Sequence, residues 1–392
     1  MSSESRTLEV DYQFPAGVDA AKQANIIALG QTVGTWDASF AHRESSFAAH
    51  KAEVVGIREE GHGAIATVRF PTLNTEGDIA SLLTMIFGKY SMAGPAKVVA
   101  VRLPQGYGQR PKFGITGVRS QVNAFDRPLI MAIFKPALGL SAADHAQILS
   151  QAAAGGLDVI KDDEILGNLD SAPTLERWQA CKPIIEETQQ RTGRSLLYAV
   201  NVTGPAPVLL DRAKRLVDAG ANALLLNVLA YGFSVLEALA QDPEIPVPIF
   251  AHPALAGAWC GAPDHGFSYS TLLGTLMAHA GADAVLYPAH YGSLPFCATE
   301  EARIRDALRS RNVFPVPSAG IHPGVVPRAL ADYGHDVILN AGTGIMDHPD
   351  GPTAGVQAFV AALQVAKPGQ AFQVESMPPG PLRRALEKWG VA

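Results

Sequence analysis

"GGLDVIKDDEIL", residues 155–166, joins an apolar run to one lysine and three consecutive acids. The run at 157–160 has the length and β-branched content of a buried strand, and the glycine pair before it stops any preceding helix. Strand alternation puts Lys161 and Asp163 on one face, turns Asp162 to the other and leaves Glu164 where strand becomes loop. A buried strand that ends in four charges delivers them to one point. What surrounds that point depends on the sheet to which the strand belongs.

Seven further segments of the same kind flank it: "LIMAIFKP" (129–136), "SLLYAVNVT" (195–203), "ALLLNVL" (223–229), "PIFAHP" (248–253), "AVLYP" (284–288), "VFPVPSAG" (313–320) and "DVILNAGT" (336–343). Between them lie stretches of helical period: Ser141 is placed to cap "AADHAQILSQAAA", Ser171 precedes "PTLERWQACKPIIEETQQ", and "PVLLDRAKRLVDAG" ends on a glycine. Eight strands alternating with helices over roughly 230 residues is the arithmetic of a (β/α)8 TIM barrel. A doubly wound open sheet is the other arrangement this rhythm allows, but no Gly-rich dinucleotide fingerprint follows the first strand.

The first part of the chain follows a different grammar. "TLEVDYQF" reads as a strand, "DAAKQANIIAL" as a helix, "AEVVGIREEGHGAIATVRF" as a hairpin turning at Glu60-Gly61-His62-Gly63, and "GDIASLLTMIFG" as a second helix. The expected organisation is an α/β chain with an N-terminal α+β domain of ferredoxin-like type over 1–124. The barrel, with a C-terminal extension ending in the short helix "LRRALEKWG", takes 125–392.

Composition narrows the function. The 392 residues are 47% hydrophobic and 17% charged with a net charge of −6 and no basic run, so neither nucleic acid nor an anionic membrane surface is an expected partner. The start "MSSESRTLEV" lacks the features of a signal peptide, and the most apolar stretch, 222–240, is interrupted by Asn227, Gly232, Ser234 and Glu237. A cytoplasmic enzyme acting on a small molecule is the expectation. Cys181, Cys260 and Cys297 show no paired spacing and read as small buried hydrophobes rather than a disulfide framework or zinc site.

In a barrel, chemistry belongs at the C-terminal ends of the strands. The residues there are Lys135, Lys161, Asp163, Glu164, Asn201, Asn227, His252 and Ser318. Two adjacent carboxylates suit Mg²⁺, which takes oxygen ligands at about 2.0–2.1 Å. A protonated lysine would oppose the cation. A lysine whose pKa is lowered by burial can instead take up CO₂ and become a carbamate, a third anionic ligand. The other reading is a Lys161–Asp163 salt bridge that props the barrel mouth.

"GGLDVIKDDE" together with "IFKPALGLS" resembles the large subunit of ribulose-1,5-bisphosphate carboxylase/oxygenase, and the chain as a whole resembles the RuBisCO-like proteins, which share the fold without fixing carbon. The resemblance runs from "QTVGTW" (31–36) through "DRPLIMAIFKPALGLS" (126–141) to "LNAGTGIMDHPDGP" (339–352). It implies that Lys161 is carbamylated and binds Mg²⁺ with Asp163 and Glu164. Lys135 becomes an acid/base on the first strand and His252 an active-site histidine. It further implies a phosphate held by Ser318, Ala319 and Gly320 and by Gly342, Thr343 and Gly344, loops whose glycines let backbone N–H groups converge on an anion. Thr35, Trp36 and Asn123 would come from the partner of a homodimer.

Departures from the family pattern are equally informative. The loop after strand six, "PAHYGSLPFCATEE", has no lysine to polarise CO₂, so carboxylation is not expected. Lys135-Pro136-Ala137 lacks the family's second lysine, Gly30 stands where a glutamate is usual, and Pro253 replaces the arginine that grips a second phosphate. What remains is a metal site beside one lysine, enough to form and reprotonate an enolate of a singly phosphorylated substrate. The polar loop residues His290, Tyr291 and Ser293 favour a hydroxylated sugar acid, as in decarboxylation or transcarboxylation and hydrolysis of an oxo-isoapionate phosphate. The alternatives are an enolase or isomerase of methylthioribulose-phosphate (methionine salvage) chemistry, and a catalytically silent stress or regulatory protein.

Overall fold

The computed structural model describes residues 6–35 and 37–391. Trp36 lies outside the described residues. The first strands are β1 (Thr7–Phe14), β2 (Glu53–Glu60), β3 (Gly63–Pro71) and β4 (Lys97–Arg102), with helices Ala20–Gly30 and Ile79–Phe87 between them. They pair antiparallel in the order β4-β1-β3-β2, the ferredoxin-like β-α-β-β-α-β arrangement. Leu8, Val10, Tyr12 and Phe14 are buried in this domain's core. The β2–β3 hairpin turns at the expected place. Gly61 adopts φ +62°, and a methyl group on Gly63 would collide with the Phe14 carbonyl oxygen.

The barrel strands are β5 (Leu129–Ile133), β6 (Val159–Lys161), β7 (Leu197–Asn201), β8 (Ala223–Asn227), β9 (Ile249–His252), β11 (Ala284–Pro288), β12 (Phe314–Ser318) and β13 (Ile338–Ala341). Each falls inside one of the eight segments read from sequence. The two-residue β10 (Gly266–Phe267) instead extends the N-terminal sheet, parallel to β4. Barrel neighbours are parallel in the order β12-β11-β9-β8-β7-β6-β5-β13. The two end strands lie side by side, with Asn340 Nδ2 donating to Ser318 Oγ at 2.9 Å, so the sheet closes.

The barrel interior is a packed plug. Met131, Val159, Leu225, Phe250, Leu286 and Val316 are fully or almost fully buried, each worth about 1.5–3 kcal/mol of burial. Helix Gly114–Val122 presents Ile115, Val118 and Val122 to the same cluster and forms the barrel floor. Its first turn has no local cap. Asp283, at the foot of β11, accepts hydrogen bonds from the N–H groups of Phe113 and Gly114 at 2.6 and 2.8 Å.

Cys181 and Cys260 are buried as expected, whereas Cys297 is exposed on the loop after β11. No helix among the described residues is long and apolar enough to cross a membrane.

Candidate active site

Above the apolar plug the strand ends turn polar together. Lys161 is 1% exposed and donates to the Asp162 carbonyl at 3.1 Å, with Glu164 Oε2 at 3.8 Å. Lys135, just beyond β5, donates to Asp163 Oδ2 at 2.6 Å. His252 Nε2 stands 3.5 Å from Glu164 Oε2. Lys135, Lys161, Asp163, Glu164 and His252 therefore form one cluster.

The electrostatics follow from burial. Desolvation lowers the Lys161 pKa despite the three acids around it. It also drives His252 well below the usual imidazole value, helped by the Lys161 charge. Burial acts to raise the Asp163 carboxyl, but the Lys135 hydrogen bond and the Ile165 N–H outweigh it and hold that group low. The Lys161–Asp163 bridge considered from spacing gives way to crossed pairs, with Lys135 on Asp163 and Lys161 toward Glu164.

Asn201 and Asn227 support this cluster through its backbone. Asn201 Nδ2 donates to the carbonyls of Asp163, Glu164 and Leu166 at 3.3, 3.2 and 3.0 Å, and Asn227 Nδ2 reaches the Glu164 carbonyl at 2.8 Å. Asn227 Oδ1 and Asn340 Oδ1 are buried without a hydrogen-bond partner. Asn340 was not singled out from sequence. Its polar character two residues after Ile338, on the inward face of β13, was the available signal.

Three loops dock against one another at the far side of the mouth. Ser293 N donates to the Ala319 carbonyl at 3.0 Å, which fixes the β11 loop on the β12 loop. A methyl group on Gly344 would strike the Ile321 carbonyl oxygen, so the β13 loop is packed equally closely against the β12 loop. Ala319 and Gly320 both have positive φ, and Thr343 and Gly344 open a short helical turn. Ser318, Ala319, Gly320, Gly342, Thr343 and Gly344 are thus adjacent.

One expectation changes. His290 is not free for a substrate: its Nδ1 pairs with Glu301 Oε2 at 2.7 Å and its Nε2 with Arg328 Nη2 at 2.8 Å. Asn123 is not part of this chain's own mouth; its expected place is in the partner's site. It ends the floor helix in the left-handed conformation at φ +51°, a role asparagine tolerates, at the opposite end of the barrel. Thr35 is exposed in the N-terminal domain.

The mouth suits a divalent cation. Two carboxylates are adjacent, and each already faces a positive side chain. Among the described residues no group of three or more His, Cys, Asp or Glu side chains is arranged to hold a metal ion by itself, so a third anionic ligand would have to be supplied, as a carbamate on a lysine would do. Lys161, with its ammonium form disfavoured by burial, has the chemistry for that.

The family profile of the ribulose bisphosphate carboxylase large chain, catalytic domain, matches residues 114–294 and 304–389. The chain belongs to that family, on its RuBisCO-like branch. A 2,3-diketo-5-methylthiopentyl-1-phosphate enolase from Microcystis aeruginosa is 63% identical over 385 residues, 98% of this chain and 100% of the relative. The crystal structure of a rubisco-like protein (MtnW) from Alicyclobacillus acidocaldarius superposes with a TM-score of 0.89 at 39% identity, covering 98% of this chain and all of that one. A dimeric archaeal RuBisCO from Hyperthermus butylicus gives 0.88 at 27% identity, covering 100% and 97%.

These relatives favour enolisation of a thioether diketone over the sugar-acid chemistry preferred from sequence. That preference rests on two grounds, that loss of CO₂ from a β-keto acid needs only an enolate-stabilising metal, and that His290, Tyr291 and Ser293 are polar groups facing a substrate. In the fold His290 is occupied at both nitrogens and Tyr291 packs against the core with its hydroxyl buried, whereas Ser293 ties one loop to another through its backbone N–H and keeps its side chain exposed.

Proposed function

We propose that this chain enolises a singly phosphorylated 2,3-diketone bearing a methylthio group and adds no CO₂. The observation that carries this reading is the Lys135 amine, 2.6 Å from Asp163 Oδ2 and beside Glu164 and the buried Lys161. It places a proton-carrying group next to the two carboxylates. The names of the relatives supply the substrate class.

Asp163, Glu164 and a carbamate on Lys161 would hold Mg²⁺. When bound, that ion supplies Lewis-acid stabilisation of negative charge on substrate oxygens. Lys135 exchanges the proton at the carbon next to a carbonyl, and its charge restrains the carboxylate beside it. His252, kept neutral by burial, offers a hydrogen bond without competing for the cation site.

Backbone N–H groups of the 318–320 and 342–344 loops receive the phosphate. One such site matches the single phosphate in the relatives' substrate. Pro253 removes the grip on a second, and the lysine-free loop 289–297 removes the grip on CO₂. Thr35 and Trp36 complete the site from a partner chain, a reading supported by the dimeric relative. Sedimentation should therefore give a dimer, and a fully active monomer would overturn that part.

The test is proton exchange in D₂O. With Mg²⁺ and bicarbonate, the diketone phosphate should take up deuterium next to a carbonyl, with loss of the signal on chelation. Decarboxylation of an oxo-isoapionate phosphate, with no exchange in the diketone, would restore the sugar-acid reading.

A further inference from the structure

Behind the mouth lies an ion pair that the chemistry does not use. Asp162 and Arg177 are both completely shielded from solvent, with Arg177 Nη2 donating to Asp162 Oδ2 at 2.9 Å. Such pairs are poor stabilisers, because desolvation rivals their attraction and apolar replacements often do as well. Their bonding shows another use. We infer that Asp162 and Arg177 are positioning residues that hold the metal-binding segment from its outer side, an inference that rests on the Mg²⁺ reading above.

The further bonds of the pair tie that segment to β7 on one side and to the loop that follows Glu164 on the other. Asp162 Oδ1 accepts from the Tyr198 hydroxyl at 2.6 Å, and Oδ2 accepts from Asn201 N at 2.8 Å. Arg177 Nη1 donates to the carbonyls of Gly167, at 3.1 Å, and Ala172, the two ends of the loop that follows Glu164. Asn201 Nδ2 and Asn227 Nδ2 hold the 163–166 carbonyls from the barrel side. Residues 161–166 are thereby gripped from both faces. Mg²⁺ demands near-ideal geometry, so freeing one grip should spread the ligands without touching any reacting atom.

The deciding measurement is Mg²⁺ affinity by calorimetry in bicarbonate buffer without substrate, with melting temperature alongside. Arg177→Lys keeps the charge but loses the fork, and Asp162→Asn keeps the shape but loses the charge; each should weaken Mg²⁺ about 10–100-fold. Tyr198→Phe removes one hydroxyl, keeps the packing and should weaken it less; it decides the matter if the other two fail to fold. Turnover should recover at saturating Mg²⁺ with the substrate KM unchanged. Asp158→Asn, at the barrel floor, should lower the melting temperature and leave Mg²⁺ affinity intact. Lower melting temperatures with wild-type Mg²⁺ affinity in folded Arg177→Lys and Tyr198→Phe would overturn the positioning role alone. Absence of bicarbonate-dependent Mg²⁺ binding in the unmodified protein would overturn the metal reading and this inference with it.

Discussion

At the barrel floor, Asp158 meets Arg127 through hydrogen bonds of 2.7 and 2.8 Å, a second guanidinium from Arg194, and the Ile130 N–H at 2.9 Å. At the mouth, Asp163 meets one amine at 2.6 Å, while Glu164 faces Lys161 at 3.8 Å and His252 at 3.5 Å. Both regions bury carboxylates beside cations. On the floor the Asp158 carboxylate is saturated by short bonds, although Arg194 Nε is left without a partner, and Asp283 and Arg119 repeat the pattern with backbone partners. The mouth is looser, and two of its asparagine oxygens have no partner. Saturated charge fixes a fold, whereas unsaturated charge of the same kind keeps bonding capacity for a ligand.

The largest effects should separate the two regions cleanly. Lys161→Ala should abolish bicarbonate-dependent Mg²⁺ binding and cut turnover by ~10³-fold or more, the loss of several kcal/mol of Lewis-acid stabilisation, while the protein stays folded. Asp158→Ala should do the reverse. It strands two guanidinium groups and should cost about 3–5 kcal/mol of stability, with turnover per folded molecule unchanged. Denaturant titration beside a Mg²⁺ titration reads both, and the comparison breaks if the two variants lose the same property.

Lys135→Met sharpens the comparison within the mouth. Solvent deuterium exchange should fall by about 10²–10⁴-fold while Mg²⁺ still binds, because the amine pairs with a ligand but is not one. Unchanged exchange would move the proton transfer to another group. A smaller effect belongs to the loops. Gly344→Ala must push the β13 loop off the Ile321 carbonyl and should raise the substrate KM about tenfold, or ~1.4 kcal/mol, with kcat little changed.

How much of this was legible depends on where the information sits. All eight barrel strands were readable, because each is an apolar run bounded by breakers and buried on both faces. The opposed directions of Asp162 and its neighbours followed from strand alternation alone. The floor helix Gly114–Val122 was not readable: its sequence, GITGVRSQV, carries two glycines and no cap, and its cap is Asp283, 169 residues away. Strand β4, the six residues KVVAVR, was also missed; it is short, and its place is set by pairing with β1. At the mouth, residue types were legible but hydrogen-bond occupancy was not. Hence His290 read as a substrate ligand, although Glu301 and Arg328 occupy it.

The smallest predicted effect tests whether incomplete pairing outside the mouth has its own signature. Glu237, on helix Phe233–Gln241, is buried against the N-terminal domain, where its Oε1 accepts from Ile79 N at 2.9 Å and its Oε2 has no partner. Burial raises its pKa to about 7, with Asp78 adding to the rise and the Ile79 bond opposing it. Between about pH 4.5, the ordinary glutamate value, and about pH 7 the folded state therefore holds a proton that the unfolded state has already released. Stability from this group is full below the unfolded pKa and is lost as pH rises through about 7. Glu237→Gln removes the titration. It should leave the melting temperature unchanged at low pH and raise it at pH 8 by roughly 2–4 °C, the shift that about 1 kcal/mol produces. Mg²⁺ affinity should not move. Equal shifts at both ends of the pH range would mean that the missing partner, not the charge, sets the cost, and that incomplete pairing here lacks the electrostatic character it has at the mouth.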